Sequence, residues 1–309
     1  MKIKNLKLKI IFFGSSHYVI PIIKVLQKNF DLKLVLTTEN PALPAGRPKP
    51  DLPDLASQGQ ALRSWPVVKY CVENRIPYRS VANLSGPDLK SLILNLKSPV
   101  AVLADFGLII PREILNVFPK GIINIHPSLL PKYRGPTPVQ TAILNGEKTT
   151  GVSIIKLDEE IDHGPILGQE KEEILPTDTA ESLYKRLFEK GANLLSKVLI
   201  EYLDGNLKLE AQDHKKATLT KPLTRQNGYL NISNAMTAVT RIDRMIRAYY
   251  PWPGVWTKWK MENGKWKILK FLPNNKLQVE GKKPLNYKDF SNGYPQIEQQ
   301  LEKLLGQLV

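Results

Sequence analysis

Short runs of apolar residues alternate with segments of helical periodicity over the first 205 residues, and this pattern predicts the fold. The apolar runs are continuous rather than alternating, which indicates strands covered on both faces by helices. We predict strands at Leu8–Phe13, Leu32–Thr37, Val100–Ala104, Ile122–His126 and Val152–Leu157. We predict helices at 17–28, 66–75, 86–96, 137–145 and about 179–203. This alternation favours an α/β fold with a mostly parallel, Rossmann-like sheet, whose ligands would lie beyond the carboxyl ends of the strands.

The character of the sequence changes after Gly205. Residues 206–219 are polar and lack periodicity, which is typical of a linker. Beyond them we predict one helix at about 234–249 and three strands, at 255–261, 265–272 and 276–279. The first two strands are joined through Asn263-Gly264, a strong hairpin signal. We therefore expect a domain at 1–205, a linker at 206–219, and a small β-barrel (OB-like) C-terminal domain at 220–309.

Charge and cysteine content restrict the class of partner and the compartment. The 309 residues carry a formal net charge of +15, and residues 201–309 hold 18 basic against 10 acidic side chains. A basic surplus in one domain favours a polyanion such as RNA, although a generic requirement for solubility would give the same balance. Cys71 is the only cysteine and no Cys/His cluster has zinc spacing, so we expect a metal-free protein of a reducing compartment. No segment approaches the ~20 apolar residues of a membrane span, and we expect a cytoplasmic protein.

One segment, between Thr38 and Trp65, fits neither pattern. It is rich in proline and has no period. Unstructured stretches longer than about 12–15 residues are usually functional or disordered. Arg47 lies between Gly46 and Pro48, a context that favours neither a helix nor an interior strand. We expect this loop to adopt a fixed conformation only against a partner.

The clearest candidates for chemistry lie at the end of the predicted strand 122–126. Asn124 and His126 are two positions apart, so both side chains project from the same face. Asp162 follows the next predicted strand in a Gly/Pro-rich loop, and we expect it at the same edge of the sheet. Each residue alone is more often structural, as a satisfied core pair or a turn cap. The turn after the first strand has one glycine, Gly14, where a dinucleotide fingerprint needs three, so a nicotinamide cofactor is not expected.

Together these residues resemble the folate-dependent formyltransferases, whose shared signature is Asn-x-His, Ser-Leu-Leu-Pro and a downstream Asp. Here the signature consists of Asn124, His126, Ser128, Leu129, Leu130, Pro131 and Asp162. A second segment resembles the one that lines the folate pocket in that family, and it begins Phe106, Gly107, Leu108, Ile109. The resemblance implies that Asn124, His126 and Asp162 are catalytic, that residues 106–109 and 128–131 bind folate, and that the co-substrate is 10-formyltetrahydrofolate.

Further features resemble the branch of this family that formylates methionyl-tRNA. Pro44-Ala45-Gly46-Arg47 is similar to an insertion that contacts the tRNA acceptor end, and 247–254 is similar to a segment of the appended C-terminal domain. The resemblance implies initiator methionyl-tRNA as the second substrate, with no metal, no obligate protein partner and a monomeric enzyme. We expect RNA contacts from Arg47, Lys49, Arg241, Arg244 and Arg247. The loop departs from the family pattern, because residues 38–65 carry no net charge.

Three alternatives stay open at this point. The chain could formylate an amino sugar nucleotide, since some such enzymes also carry a C-terminal barrel. It could hydrolyse 10-formyltetrahydrofolate, for which a different appended domain would be expected. It could be a non-catalytic RNA-binding protein that kept the fold, but the joint presence of Asn124, His126 and Asp162 argues against this.

Overall fold

The computed structural model describes residues 8–39, 65–231, 239–260 and 264–295. The first part of the chain contains seven strands: β1 Lys9–Phe13, β2 Asp31–Thr38, β3 Tyr78–Val81, β4 Val100–Leu103, β5 Ile122–His126, β6 Thr149–Lys156 and β7 Ile166–Glu173. They form one sheet in the order β3-β2-β1-β4-β5-β6-β7. The pairs from β3 to β5 are parallel, and β6 and β7 pair antiparallel with their neighbours. The predicted, mostly parallel sheet is confirmed.

Helices cover both faces of this sheet. They are α1 Ile20–Asn29, α2 Pro66–Glu73, α3 Pro87–Leu96, α4 Arg112–Leu115, α5 Pro138–Leu144 and α6 Ala180–Leu203. Alternate residues of β1 belong to two different core clusters, one on each side, because both faces of the strand are buried. Under β5 the backbone of α6 comes close to the sheet at Gly191, where a Cβ would lie 2.8 Å from a methyl group of Ile125. The strand β5 is therefore supported by a tightly packed helix.

The strands β3 and β7 are absent from the sequence prediction. Each forms an edge of the sheet, and an edge strand needs little apolar character. The strand β3 has only four residues, of which only Val81 is buried. The strand β7 begins with buried Ile166 and Leu167, but its remaining residues are mostly polar and exposed. Neither segment therefore has the continuous apolar run of a buried strand.

The second part of the chain contains α7 Val239–Ala248, β8 Val255–Lys260, β9 Trp266–Leu272, β10 Lys276–Val279, β11 Leu285–Asn286 and α8 Tyr287–Gly293. The strands form a separate antiparallel sheet in the order β11-β10-β9-β8. The predicted strands at 255–261, 265–272 and 276–279 match it closely. Of the predicted helix 234–249, residues 234–238 lie outside the described parts of the chain.

The two sheets are joined by a shared apolar core and by a docked connecting segment, residues 206–229. Val139 and Ile143 of α5 belong to the same buried cluster as Ile242 and Ile246 of α7 and Phe271 of β9. The connecting segment follows the first sheet rather than passing through solvent. It forms isolated bridges of Glu210 with Ile166, of Leu219 with Arg134, and of Tyr229 with Trp256. Within the described parts of the chain, no helix has the length and apolar character of a membrane span.

Candidate active site

Asn124 and His126 project from one face of β5, and both are buried. The carboxylate of Asp162 lies between them. The amide Nδ2 of Asn124 donates to Asp162 Oδ1 over 3.1 Å, and His126 Nδ1 is 3.5 Å from Asp162 Oδ2. The backbone N–H of Gly135 donates to the same Oδ2 over 2.8 Å. The structure thus brings the three predicted catalytic residues together around one carboxylate.

Asp162 reaches this position by a route different from the predicted one. Because β6 runs antiparallel to β5, it ends opposite Ile123 near the amino end of β5 and not at its carboxyl end. The loop that follows folds back along the strand to bring Asp162 to Asn124 and His126. Asp162 has a left-handed backbone conformation with φ of 50°. That conformation costs a non-glycine residue roughly 1–2 kcal/mol, so it requires support from neighbouring contacts.

The hydrogen bonds of His126 determine which ring nitrogen carries a proton. Its Nε2 is 2.8 Å from the carbonyl oxygen of Tyr133. A carbonyl oxygen can only accept, so Nε2 is the donor. Tyr133 is held in turn by its hydroxyl, which donates to Glu147 Oε1 over 2.6 Å. Burial and this bond raise the pKa of the Tyr133 hydroxyl, and donation from Tyr133 lowers the pKa of Glu147. Nδ1 of His126, facing Asp162, is the position at which the ring gains or loses a proton.

The predicted folate-binding turn Ser128–Pro131 is anchored by two residues that the sequence analysis did not identify. Ser153 donates to the carbonyl oxygen of Ser128 over 2.6 Å and accepts from the Leu130 N–H over 3.0 Å. Gln169 donates to the carbonyl oxygen of Leu130 over 2.8 Å. Ser153 and Gln169 lie opposite each other on β6 and β7, facing the turn. A polar residue in a buried strand is the signal that could have revealed Ser153.

The second predicted folate segment contributes one buried and one exposed apolar residue. Phe106 packs against Phe13, with the ring centroids 5.3 Å apart, and is buried. Gly107 has φ of 79°, a conformation that favours glycine, and Leu108 is partly buried. Ile109 is 81% exposed.

A neighbouring loop offers another exposed apolar side chain, Ile161, which is 61% exposed and which the sequence analysis did not identify. Arg112, the first residue of α4, forms an ion pair 3.0 Å long with Glu159, which belongs to the loop that carries Asp162. Ile109 and Ile161 lie three and two residues along the chain from the two ends of this ion pair. Such side chains can cover the flat face of a ring. Within the described parts of the chain, no group of three or more His, Cys, Asp or Glu side chains has the arrangement of a metal site.

The predicted RNA-binding residues have different environments. Arg47 and Lys49 lie outside the described residues. Arg241 is exposed on α7. The guanidinium of Arg244 lies against Gly146, beside a cavity of about 200 Å³ between α7 and the first domain. Arg247 donates to Asp243 Oδ2 over 2.8–2.9 Å and to the carbonyl oxygen of Asp178 over 3.2 Å, so its charge is already paired.

The outer face of the second sheet is strongly basic, and the sequence analysis did not identify it. Strand pairing aligns exposed lysines of β8, β9 and β10 on one side, which we call the basic sheet face: Lys258, Lys260, Lys270 and Lys276. Trp266, which is 63% exposed, lies opposite Lys260 on this face. The opposite face carries the buried residues Val255, Leu269 and Phe271. The alternation of lysine with apolar residues along β8 was the available signal.

Comparisons with known proteins identify the family of this chain. Residues 8–199 match the family described as formyl transferase, and residues 230–276 match formyl transferase, C-terminal domain. A methionyl-tRNA formyltransferase of Chloroflexus aurantiacus is 38% identical over 253 residues, which cover 82% of this chain and 77% of that protein. One of Buchnera aphidicola is 37% identical over 248 residues, which cover 80% of this chain and 74% of that protein.

Solved structures share the fold. A sugar N-formyltransferase from a Shewanella species superposes with a TM-score of 0.61 at 19% identity, covering 84% of this chain and 95% of that one. A 4-N formyltransferase from Francisella tularensis gives 0.62 at 17% identity, with 87% and 98% covered. These likenesses concern the fold alone, whereas the sequence relatives are closer and span most of both chains. The chain therefore belongs to the formyl transferase family, and within it to the methionyl-tRNA formyltransferases.

Proposed function

We propose that this protein transfers the formyl group of 10-formyltetrahydrofolate to the amino group of initiator methionyl-tRNA, and that Asn124, His126 and Asp162 perform the transfer. The product would be N-formylmethionyl-tRNA for the start of translation in the cytoplasm. The observation that carries the proposal is the contact of one carboxylate, Asp162, with both Asn124 and His126. All of these groups belong to one chain, and we propose that the enzyme acts as a monomer.

Asn124 is suited to stabilise the oxygen of the formyl group. When the amine adds to the formyl carbon, negative charge develops on that oxygen. An amide NH₂ has two donor hydrogens, and Asp162 accepts only one of those of Asn124. The second can donate to the developing oxyanion without reorganisation, because Asp162 already fixes the amide. A preorganised donor of this kind contributes roughly 10²–10³-fold to the rate.

His126 and Asp162 are suited to move the proton. The attacking nitrogen must lose one proton, and the folate nitrogen must gain one as it leaves. In our proposal the pair accepts the first proton and returns one to the folate nitrogen, so the pair ends unchanged. With Nε2 fixed on Tyr133, the ring receives its proton at Nδ1, beside the Asp162 carboxylate that stabilises the charged form.

The folate would bind between the segment Phe106, Gly107, Leu108, Ile109 and the loop of Asp162. Ile109 and Ile161 offer exposed apolar surface to its ring. The turn of Ser128, Leu129, Leu130 and Pro131 would complete the site. Hydrogen bonds of Ser153 and Gln169 already fix that turn, which lowers the cost of ordering it around a ligand.

The RNA would extend from the loop that contains Arg134 to the basic sheet face. We retain a catalytic domain at 1–205, a linker at 206–219 and an RNA-binding domain at 220–309. In support, the connecting segment contacts Arg134 at Leu219 and reaches β8 at Trp256 through Tyr229. The connecting segment thus joins the loop that contains Arg134 to the sheet that carries the basic sheet face. Lysines beside an exposed tryptophan suit a phosphate backbone with unstacked bases. Arg47, Lys49 and Arg241 remain proposed contacts.

The acceptor is the point on which the alternatives differ. The experiment is incubation of the protein with 10-formyltetrahydrofolate and one of three acceptors: charged initiator tRNA, an amino sugar nucleotide, or water alone. We expect formyl transfer to the tRNA and little turnover with the other two. Faster transfer to the sugar, or release of formate at the same rate without any acceptor, would contradict the proposal.

A further inference from the structure

Gln212, in the connecting segment, makes four hydrogen bonds to the loops that form the active site. Its Nε2 donates to the carbonyl oxygens of Asp162 over 2.8 Å and Gly164 over 2.7 Å. Its Oε1 accepts from Arg134 Nε over 3.2 Å and Nη2 over 2.7 Å. A guanidinium only donates and a carbonyl oxygen only accepts, so the orientation of the amide is fixed. Neither an apolar nor an acidic side chain could satisfy all of these partners.

The bond to Asp162 bears on the conformation of the catalytic carboxylate. Asp162 has φ of 50°, and in this conformation its carboxylate accepts from Asn124 and from the Gly135 N–H. By binding the carbonyl oxygens of Asp162 and Gly164, Gln212 holds the backbone on both sides of residue 163. The cost of the left-handed conformation, roughly 1–2 kcal/mol, can be offset by these two bonds.

The bonds to Arg134 reach the other side of the catalytic cluster. Arg134 lies between Tyr133, whose carbonyl oxygen accepts from His126, and Gly135, whose N–H donates to Asp162. Its guanidinium is buried, and its side-chain partners are Gln212 and His214 Nδ1, 2.8 Å away. Among the residues that the structure describes, no carboxylate pairs with it. A buried charge needs such bonds, so Gln212 also holds the loop of Arg134.

We propose that Gln212 is a positioning residue for formyl transfer, acting through Asp162, and that the connecting segment is therefore part of the active site. This inference rests on the proposed function. Misplacement of a catalytic group by about 1 Å can cost about 10²-fold in rate. We therefore expect loss of the Gln212 bonds to lower kcat by about 10–100-fold. The KM values change less than about threefold, because Gln212 acts on the placement of Asp162.

The main test variant is Gln212→Glu. It keeps an acceptor, now charged, for Arg134 and removes both donors to the carbonyl oxygens, so the fold should be retained. Gln212→Met serves as a second variant, which lacks both the acceptor for Arg134 and the donors to the carbonyl oxygens. The matched control is Ser98→Ala. Ser98 is also buried, and its hydroxyl lies 2.8 Å from the carbonyl oxygens of Lys9 and Val100, but it precedes β4 at the amino end of that strand. This control should lower the Tm and leave kcat unchanged.

Two readouts separate positioning from a merely structural role. The first is kcat for methionyl-tRNA in wild-type and Asp162→Asn backgrounds. If Gln212 acts through Asp162, the effect of Gln212→Glu should shrink to less than about threefold in the second background. The second is hydrogen exchange of the Gly135 amide, which is bonded to Asp162 Oδ2 and reports on the carboxylate without any catalysis. We expect faster exchange in Gln212→Glu and no change in Ser98→Ala.

The positioning role would be overturned if kcat of Gln212→Glu were within threefold of wild type. It would also be overturned if Gln212→Glu lowered kcat as much in the Asp162→Asn background as in the wild type. A wild-type protein that does not formylate methionyl-tRNA would instead overturn the proposed function. The exchange of Gly135 then still decides the inference. Faster exchange in Gln212→Glu supports the control of Asp162 by Gln212, and unchanged exchange overturns it.

Discussion

The Nε2 nitrogen of His126 and the carbonyl oxygen of Tyr133 are 2.8 Å apart. Since the oxygen can only accept, this nitrogen keeps its proton in both charge states of the ring, and Nδ1 alone exchanges one. The backbone of Tyr133 has φ of 61°, and this conformation directs its carbonyl oxygen to His126. The hydrogen bond of the Tyr133 hydroxyl to Glu147 fixes the side chain of the same residue. A loop conformation thus selects the histidine tautomer.

This selection can be observed by ¹⁵N nuclear magnetic resonance of the imidazole ring. We expect His126 Nε2 to keep the shift of a protonated nitrogen across roughly pH 5–8, the interval in which histidines commonly titrate. Any change with pH should occur at Nδ1. A neutral ring protonated at Nδ1 would contradict the assignment.

The basic sheet face should contribute more to RNA affinity than the arginines of α7. For the double variant Lys258→Gln/Lys270→Gln we expect a higher KM for tRNA. We also expect the logarithm of the tRNA binding constant to depend less steeply on the logarithm of the salt concentration, by roughly one in the slope for each phosphate no longer neutralised. The KM for folate should not change. The matched control is Lys90→Gln/Lys97→Gln, which removes the same charge from exposed positions in α3 and directly after it. Equal salt slopes for the two double variants would remove the basic sheet face from the RNA footprint.

Arg247 should affect stability rather than the salt slope. Its guanidinium is bonded to Asp243 and to the carbonyl oxygen of Asp178, so it ties α7 to the start of α6. For Arg247→Gln we expect a loss of about 1 kcal/mol in the free energy of unfolding, because the pair is partly exposed. Chemical denaturation measures this loss, and titration of the binding constant with salt measures the slope. If Arg247→Gln reduced the salt dependence of tRNA binding and left the free energy of unfolding unchanged, Arg247 would be an RNA contact instead.

The buried carboxylate of Asp178 should make stability depend on acid pH. Burial alone would raise the pKa of Asp178, but bonds from Arg186, the Leu175 N–H and Ser182 bring that pKa below its usual value. With a folded-state pKa below that of the unfolded chain, the stabilisation is complete above about pH 4 and is lost as the pH falls through the folded-state pKa. Asp178→Asn should lower the free energy of unfolding by about 2–3 kcal/mol at neutral pH, since Arg186 remains partly exposed.

The measurement is denaturation of Asp178→Asn and wild type at several pH values. The difference between the two should shrink as the pH falls below about 4, because protonation removes the same charge from the wild type. Ser98→Ala, which removes a neutral buried group, should show a difference that is independent of pH. A constant difference for Asp178→Asn would contradict the low pKa.

The sequence was sufficient for the buried strands, because they leave local signals, and its motif singled out three candidate residues that the structure brings together. The segment 122–126 is apolar apart from Asn124 and His126, so its strand conformation could be predicted and its two polar residues could be proposed as a candidate site. The edge strand Ile166–Glu173 could not, because half of its residues are polar and exposed. Asp162 was identified by its motif, but its route to the site depends on the antiparallel direction of β6, for which the local pattern gives no signal.

The role of the connecting segment could not be predicted for a different reason. Residues 206–219 lack hydrophobic periodicity because they contact the rest of the protein through isolated hydrogen bonds and not through a regular helix or strand. The N–H of Arg134 donates to Thr218 O and its carbonyl oxygen accepts from the Thr220 N–H, each over 2.8 Å. Together with the Gln212 amide, these bonds leave no mark on hydrophobic spacing. A polar segment without a period can be a linker or part of a site, and only its partners distinguish the two.

The central claim is that Asn124, His126 and Asp162 act as one unit in formyl transfer, and the single-turnover rate of their alanine variants tests it most directly. The rates are measured with saturating 10-formyltetrahydrofolate and methionyl-tRNA, after circular dichroism has established that each variant folds. We expect each single substitution to slow the transfer by at least about 10²-fold, and double variants to be little slower than the worse single one. Near-normal rates in any two of the single variants would contradict this active site.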